Sequence, residues 1–267
     1  MIEIREKSNS ENWQNIRNSF YDSLSSPLDG MWDELIHDHA QLWGIYDDNQ
    51  IVGYSSKDGE GSLINFFLTE KYSPLKTELF IRVLYMLETP QAIVSTNNPD
   101  FLIASLDISK KMAVHSYLFE NEKEVDLSKP VDIEGLDLTP ALDIDIPSLI
   151  NFCTKNVESD PNWLEGYLKR LVDRNEIYLL KKDDRIICTC EIRKSLTQPS
   201  IADLGTIVDS AFRKKGIGSW LFAKAKEMSL AKGNKPICSC EQANIGSKRM
   251  IENAGFVSKN MILKISF

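Results

Sequence analysis

Ile201-Ala-Asp-Leu-Gly-Thr-Ile-Val208, Asp209-Ser-Ala-Phe212 and Arg213-Lys-Lys-Gly-Ile-Gly218 run without a break and decide how the chain is read. Ile201 to Val208 is short, apolar and rich in β-branched residues, which predicts a buried strand. From Ile217 the spacing changes: Ile217, Trp220, Leu221, Ala225 and Met228 fall on one face of a helix, and Gly233 stands at its C-terminal capping position. Arg213 to Gly218 is therefore a strand-to-helix turn whose glycines let the backbone come close to a ligand. Its free N–H groups and the positive helix end suit an anion, and three consecutive cations stand beside them. The predicted ligand is a phosphate.

Known phosphate loops differ in spacing. A Walker loop needs two glycines four residues apart, followed by Lys and Ser/Thr, and a dinucleotide fingerprint needs three glycines and a later acid; neither pattern is present. Arg-x-x-Gly-x-Gly after a strand resembles the pyrophosphate loop of the GNAT superfamily of N-acetyltransferases. The residues downstream add to the likeness. Pro236 to Glu241 reads as the next strand, and Asn244 opens a short helix that carries Ser247 and is closed by Gly255-Phe256. The resemblance implies acetyl-CoA (coenzyme A) as cofactor. The backbone of Thr206, Ile207 and Val208 would pair with the pantetheine arm. Arg213, Lys214, Lys215, Gly216, Ile217, Gly218 and Ser219 would hold the pyrophosphate, and Asn244 would hydrogen-bond the arm.

Composition is compatible with this. The chain has 267 residues, 42% of them apolar, enough for one large or two ordinary domains. No apolar run is long enough for a membrane span and no signal-peptide core opens the sequence. Five cysteines form no even disulfide framework, so a reducing cytoplasm is the expected location. Net charge is −8, yet Arg213 to Lys264 carries eleven Lys/Arg against three acids, a local +8 that leaves −16 elsewhere. A basic quarter on an acidic body fits a compact polyanion and speaks against nucleic acid, whose backbone the acidic part would repel. Neither nucleic acid nor membrane is expected as a partner; a small-molecule amine acceptor is, with the protein a monomer or homodimer.

The rest of the chain reads as two similar halves. Strands are predicted at Met1–Arg5, Gln41–Tyr46, Ile51–Ser56, Ser62–Leu68, Ala92–Ser95 and Met112–Glu120. Helices fall at Ser10–Leu24 (Ser10 as N-cap), Leu75–Glu88 and Pro99–Leu106. After a polar linker, Asn121 to Asp132, the order recurs: a strand at Ile133–Leu138, helices at Asp145–Lys155 and Asn162–Val172, a hairpin of Glu176–Lys181 and Ile186–Lys194, and a last strand at Val257–Phe267. Laid over each other, the halves match Asp47-Asp48 to Asp183-Asp184, Leu68 to Val208 and Asn98 to Asn244. The fold class is α/β (α+β): two tandem GNAT-like domains, 1–125 and 126–267, each a mixed, mostly antiparallel sheet flanked by helices. Counting from Leu68, Lys76 and Glu78 stand where Gly216 and Gly218 do, so the first domain is expected to lack the phosphate loop.

Acetyl transfer needs a neutral amine and a proton for the leaving thiolate. His37, His39 and His115 all lie in the first half, so the base is Glu191 or Asp203, or no base is used. Asp203 falls one residue after the family's acidic position, occupied by Ala202, unless a bulge shifts it. Ile251 stands where the family commonly has an acidic tyrosine; Tyr167 and Tyr178, the only tyrosines of this half, lie outside the motif and are expected to matter little. Glu158, Asp160 and Glu165 suggest an acceptor with added positive charge. Cys188/Cys190 and Cys238/Cys240 are read as small buried side chains and His37-Asp38-His39 as surface, with no metal expected. The expected activity is transfer of an acetyl group to a primary amine; the alternative is a coenzyme A-binding sensor or interaction protein with little catalysis.

Overall fold

The computed structural model describes residues 1–8, 13–157 and 161–267. In chain order the first elements are β1 (Ile2–Glu6), α1 (Gln14–Ser23), α2 (Gly30–His37), β2 (Gln41–Asp47), β3 (Gln50–Lys57), β4 (Leu63–Leu68), α3 (Lys76–Leu87), β5 (Gln91–Ser95), α4 (Pro99–Asp107) and β6 (Lys111–Asn121). The second series is β7 (Leu138–Pro140), α5 (Ile146–Asn156), α6 (Pro161–Asp173), β8 (Ile177–Lys182), β9 (Arg185–Lys194), β10 (Ile201–Val208), α7 (Ile217–Ala231), β11 (Lys235–Glu241), α8 (Ile245–Asn253) and β12 (Phe256–Ser266). Ser10, expected to cap α1, lies outside the described residues. The strand expected at Ile133–Leu138 is instead a 3₁₀ turn at Val131–Ile133 followed by the three-residue β7, because Gly135 takes a left-handed φ of 78° between them.

The chain forms two compact units. One comprises residues 1–118, 239–242 and 258–267; the other comprises 119–238 and 243–257. The sequence division at 125/126 follows the polar linker, whereas the units follow strand pairing. Residues 262–266 of β12 run antiparallel to β5, Ile262 opposite Ser95 through Ser266 opposite Gln91. Leu263 and Ile265 are thereby buried in the first unit's core, beside Phe66, Phe80 and Phe101. The last strand, expected to finish the second sheet, completes the first.

Both units build the same antiparallel series. In the first the order is β1-β2-β3-β4-β5-β12, and in the second β7-β8-β9-β10-β11. The hairpins β2–β3 and β8–β9 each turn on two residues with positive φ, Asp48 and Asn49 (45° and 68°) and Asp183 and Asp184 (49° and 59°). The structural match is thus Asp48-Asn49 to Asp183-Asp184, one residue from the sequence overlay. In each unit a single parallel pairing, β4 with β5 and β10 with β11, follows the antiparallel run.

Alternation along the strands gives each sheet two apolar faces. In the first unit Tyr54 and Phe67 pack with Trp13, Phe20 and Ile36 of the α1/α2 side, while Phe66 and Leu68 pack with α3 and α4. His37, expected at the surface, is buried: its Nδ1 lies 2.8 Å from Asp33 Oδ1 and its Nε2 2.8 Å from the Tyr54 hydroxyl. The Asp-His spacing along α2 is i,i+4, so both side chains share its inward face. His39 remains exposed. In the second unit α5 and α6 cover one face through Leu149, Phe152, Leu164 and Leu168, packed on Ile177 and Leu179.

Candidate active site

The site is organised by where β10 stops pairing. Against β9 it pairs along its length, from Ala202 opposite Lys194 to Val208 opposite Cys188, with no register shift. No bulge therefore moves Asp203 into the place of Ala202. Against β11 the ladder covers only Ile201 to Asp203, opposite Lys235 to Ile237, so among the described residues the last five of β10 have no strand on that side. In an antiparallel pair successive residues turn their main-chain groups alternately toward and away from the partner. The Asp209 N–H donates to the Ile187 carbonyl and the Ser195 N–H to the Ile201 carbonyl, which fixes odd-numbered residues on the β9 side. Thr206 and Val208 therefore present N–H and C=O to the open side, whereas Ile207 spends its own on β9. Of the three residues expected to meet an extended arm, two have the orientation for it.

The turn that follows is braced by α5. The Asp209 carboxylate accepts from the Ala211 N–H (2.9 Å) and from Lys155 Nζ (2.9 Å). Asn156 accepts from the Ser210 N–H through its side chain and from Arg213 Nη2 through its carbonyl, both at 3.0 Å. The amide of Ala211 and the Lys155 ammonium hold the Asp209 carboxyl below the usual carboxylate range. The cations are not equivalent. Arg213 Nε also donates to the Val208 carbonyl (3.0 Å), Lys215 Nζ bonds Asp132 (2.7 Å), and Lys214 is exposed with a left-handed φ of 62°.

Gly216 ends the turn with φ 77° and opens α7, whose first turn receives no side-chain cap. The uncapped N–H groups of Ile217, Gly218 and Ser219 form the anion-binding end that the sequence predicts. The two glycines are required for different reasons. At Gly216 a Cβ would make only an ordinary contact, 3.9 Å from Pro130 Cγ, and the demand is its backbone angle. At Gly218 a Cβ would stand 2.9 Å from Met250 Sδ, so there the demand is close packing of α7 on α8. Asn244 caps α8, its Oδ1 accepting from the Ser247 N–H at 3.0 Å, and is exposed. Ile251 is buried, so the usual tyrosine position is a packing position in this chain.

The candidate carboxylates meet on the α6 side of the sheet. Glu191 lies opposite Gly205 and Arg193 opposite Asp203. The Tyr167 hydroxyl donates to Glu191 Oε2 at 2.5 Å, and Arg193 Nη1 donates to the Tyr167 oxygen at 3.2 Å. Arg193 Nε lies 3.6 Å from the same Oε2. Gly205 leaves the carboxylate uncovered: a Cβ there would lie 3.2 Å from Oε2. Asp203 is buried beside Arg193. Tyr167 is the residue that sequence reasoning missed. Its one signal was helical: on α6 it shares a face with Leu164 and Leu168, both core residues, and so points at the sheet. Tyr178 is elsewhere, accepting from Lys232 Nζ at 2.9 Å. Glu165 is exposed, and Glu158 and Asp160 lie outside the described residues.

The cysteine pairs are buried, with Cys188 and Cys190 on β9 and Cys238 and Cys240 on β11, on either side of β10. Burial first, then the charge of Asp209, pushes the Cys188 thiol up to about 12, away from ligand or nucleophile chemistry. Among the described residues no group of three or more His, Cys, Asp or Glu could hold a metal ion, and no helix is long and apolar enough to cross a membrane.

The first unit treats the same positions differently. Its 3₁₀ turn Glu70–Leu75, with Pro74 inside it, runs into a helix that starts one residue sooner, so Leu75 (φ −95°) and not Lys76 is the counterpart of Gly216. Lys76 pairs with Asp100 at 3.1 Å. Asn98, the counterpart of Asn244, turns its amide inward and donates to the Phe66 carbonyl and to Asn65 Oδ1, both at 3.3 Å. Phe66 stands where Thr206 does, so its outward carbonyl is already bonded.

Comparison with known proteins agrees with this geometry. Residues 9–122 match the family described as "Acetyltransferase (GNAT) domain" and residues 144–256 that described as "Acetyltransferase (GNAT) family". No curated protein matches the chain. Among solved structures, a GNAT-family acetyltransferase from Colwellia psychrerythraea superposes with a TM-score of 0.90 at 24% identity, covering 99% of each chain. A GCN5-related N-acetyltransferase from Sphaerobacter thermophilus superposes with a TM-score of 0.66 at 13% identity, covering 99% of this chain and 95% of that one. A tandem GNAT protein from the clavulanic acid biosynthesis pathway gives 0.68 at 10%, covering 100% and 98%. With both halves matched by the same family, the chain belongs to the GNAT acetyltransferases and carries two such domains in tandem.

Proposed function

We propose that the protein is an acetyl-CoA-dependent N-acetyltransferase that acetylates a primary amine by direct transfer, with the cofactor held by the second unit alone. The observation that carries this reading is the main-chain edge left, among the described residues, without a partner strand at Thr206 and at the Val208 N–H, the Val208 carbonyl being taken by Arg213. That edge leads into the uncapped start of α7 behind Gly216. An extended, peptide-like arm ending in a pyrophosphate needs those two features in that order. Acetyl-CoA supplies the acetyl thioester. Of the chain's own groups, Thr206 and Val208 orient the arm. The amides of Ile217 to Ser219 receive negative charge, Lys214 adds a mobile cation, and Glu191 takes the proton that an ammonium must lose before it becomes a nucleophile. Glu165 on the exposed side of α6 favours an acceptor with a second positive charge.

Titration calorimetry with coenzyme A tests the cofactor reading. One site per chain is expected, abolished by Gly216→Glu, which adds a side chain and a negative charge at the helix start. Two equal sites, or a site unaffected by Gly216→Glu, would overturn it. Turnover of acetyl-CoA with a panel of mono- and diamines separates the enzyme from a coenzyme A-binding sensor, for which no amine is acetylated.

A further inference from the structure

The Glu191 carboxylate is held from one side only. Oε2 takes the Tyr167 hydroxyl and faces the Arg193 guanidinium, while among the described residues no hydrogen bond is made to Oε1. The holder is itself fixed. The Tyr167 ring stacks on Trp163, with centroids 4.5 Å apart and planes 16° from parallel, and Arg193 donates to its oxygen. The bonded oxygen is also the one nearest Gly205, where a Cβ would lie 3.2 Å from Oε2, and Gly205 is the neighbour of Thr206.

We propose that Tyr167 is a positioning residue: it anchors Oε2 over Gly205 and so fixes the carboxylate, leaving Oε1 to take the proton of the acceptor amine. This rests on the proposed acetyl transfer, in which an N–H bond of the acceptor ammonium breaks and an O–H bond forms on Oε1. Tyr167 does not deliver the proton that the thiolate needs. Burial, and next the negative charge of Glu191, hold its phenol well above the ordinary tyrosine range, so it keeps its proton and donates at every working pH. Among the described residues, four groups face this carboxylate. They are Tyr167 from α6, Arg193 from β9, Asp203 from β10 beyond Arg193, and Cys153 from α5, whose thiol burial and then the Glu191 charge push up to about 11. Without the phenol the carboxylate loses its orientation.

Two measurements test this, one of them independent of turnover. In protein labelled at tyrosine Cζ, the Tyr167 resonance of Glu191→Gln is expected to titrate at lower pH than in the unsubstituted chain, because a negative neighbour is gone. In Tyr167→Phe, which keeps the ring and its stacking, kcat is expected to fall by about ten- to a hundredfold, with coenzyme A affinity and the KM for the amine unchanged. A Tyr167 titration indifferent to Glu191→Gln overturns the proposal, as does an unchanged kcat in a folded Tyr167→Phe. The two readings fail separately: if the unsubstituted protein acetylates no amine, the proposed function falls, whereas the resonance still reports whether Tyr167 and Glu191 are coupled.

Discussion

Gly216 and Gly218 are two residues apart and answer to different physics. Gly216→Ala adds a side chain that meets only Pro130 at an ordinary distance but stands in the left-handed region, a cost of about 1–2 kcal/mol. Gly218→Ala drives a methyl into the Met250 side chain, which must shift, an overpacking cost of about 1–3 kcal/mol. The expected outcome is that Met250→Ala restores much of the stability lost in Gly218→Ala and none of that lost in Gly216→Ala, as read from urea unfolding. Equal rescue of both would show that packing governs Gly216 too. At this scale the sequence was legible wherever the chemistry is local: a positive φ, a capping Asn, a run of cations. It was silent where partners are distant. Tyr167 and Glu191 are 24 residues apart and meet only because α6 lays its inward face on β9. His37 was misread because His-Asp-His looks polar, whereas its partner Asp33 lies one helical turn back.

Among elements, α5 has a task beyond covering the sheet. Its last turn, through Lys155 and Asn156, fastens the turn that delivers the chain from β10 to α7. Asp209 is the centre of that fastening, a buried carboxylate bonded to an amide and an ammonium. Removing such a cap costs about 0.5–2 kcal/mol, and Asp209→Ala is expected to lose that much and to weaken coenzyme A several-fold. The sign with pH follows from the lowered carboxyl. Its contribution is complete above the ordinary aspartate range and is lost as pH falls through the still lower value in the folded protein. Unfolding midpoints of the native chain and Asp209→Ala should therefore converge below about pH 3. A gap that persists there would assign the loss to the cavity and not to the charge. The element order was readable from periodicity, and so was the duplication. The partner of the last strand was not, since alternating apolar residues in β12 specify a buried face and say nothing about which sheet supplies it.

For the whole molecule, the duplication produced two different clefts from one plan. Asn98 bonds the Phe66 carbonyl on β4, and Asn244 leaves the equivalent edge at Thr206 free. The first unit in turn depends on the far end of the chain for its core. A fragment of residues 1–125 lacks Leu263 and Ile265, both buried in that core, and leaves β5 without its ladder from Gln91 to Ser95. Losing two such side chains forgoes about 1.5–3 kcal/mol each, a large share of the roughly 5–15 kcal/mol that hold a domain together. The fragment is expected to show no cooperative unfolding, and a synthetic peptide of residues 256–267 is expected to restore it. Cooperative unfolding of the fragment alone would show that β12 is dispensable. During synthesis the same arrangement sets an order of events. Ribosomes add about 5–20 residues per second, so the first unit, although made first, waits on the order of ten seconds for its closing strand. For that interval the edge of β5 is bare, and any chain cut short before Ser258 leaves it bare for good, a ready mark for the proteases that clear unfinished products.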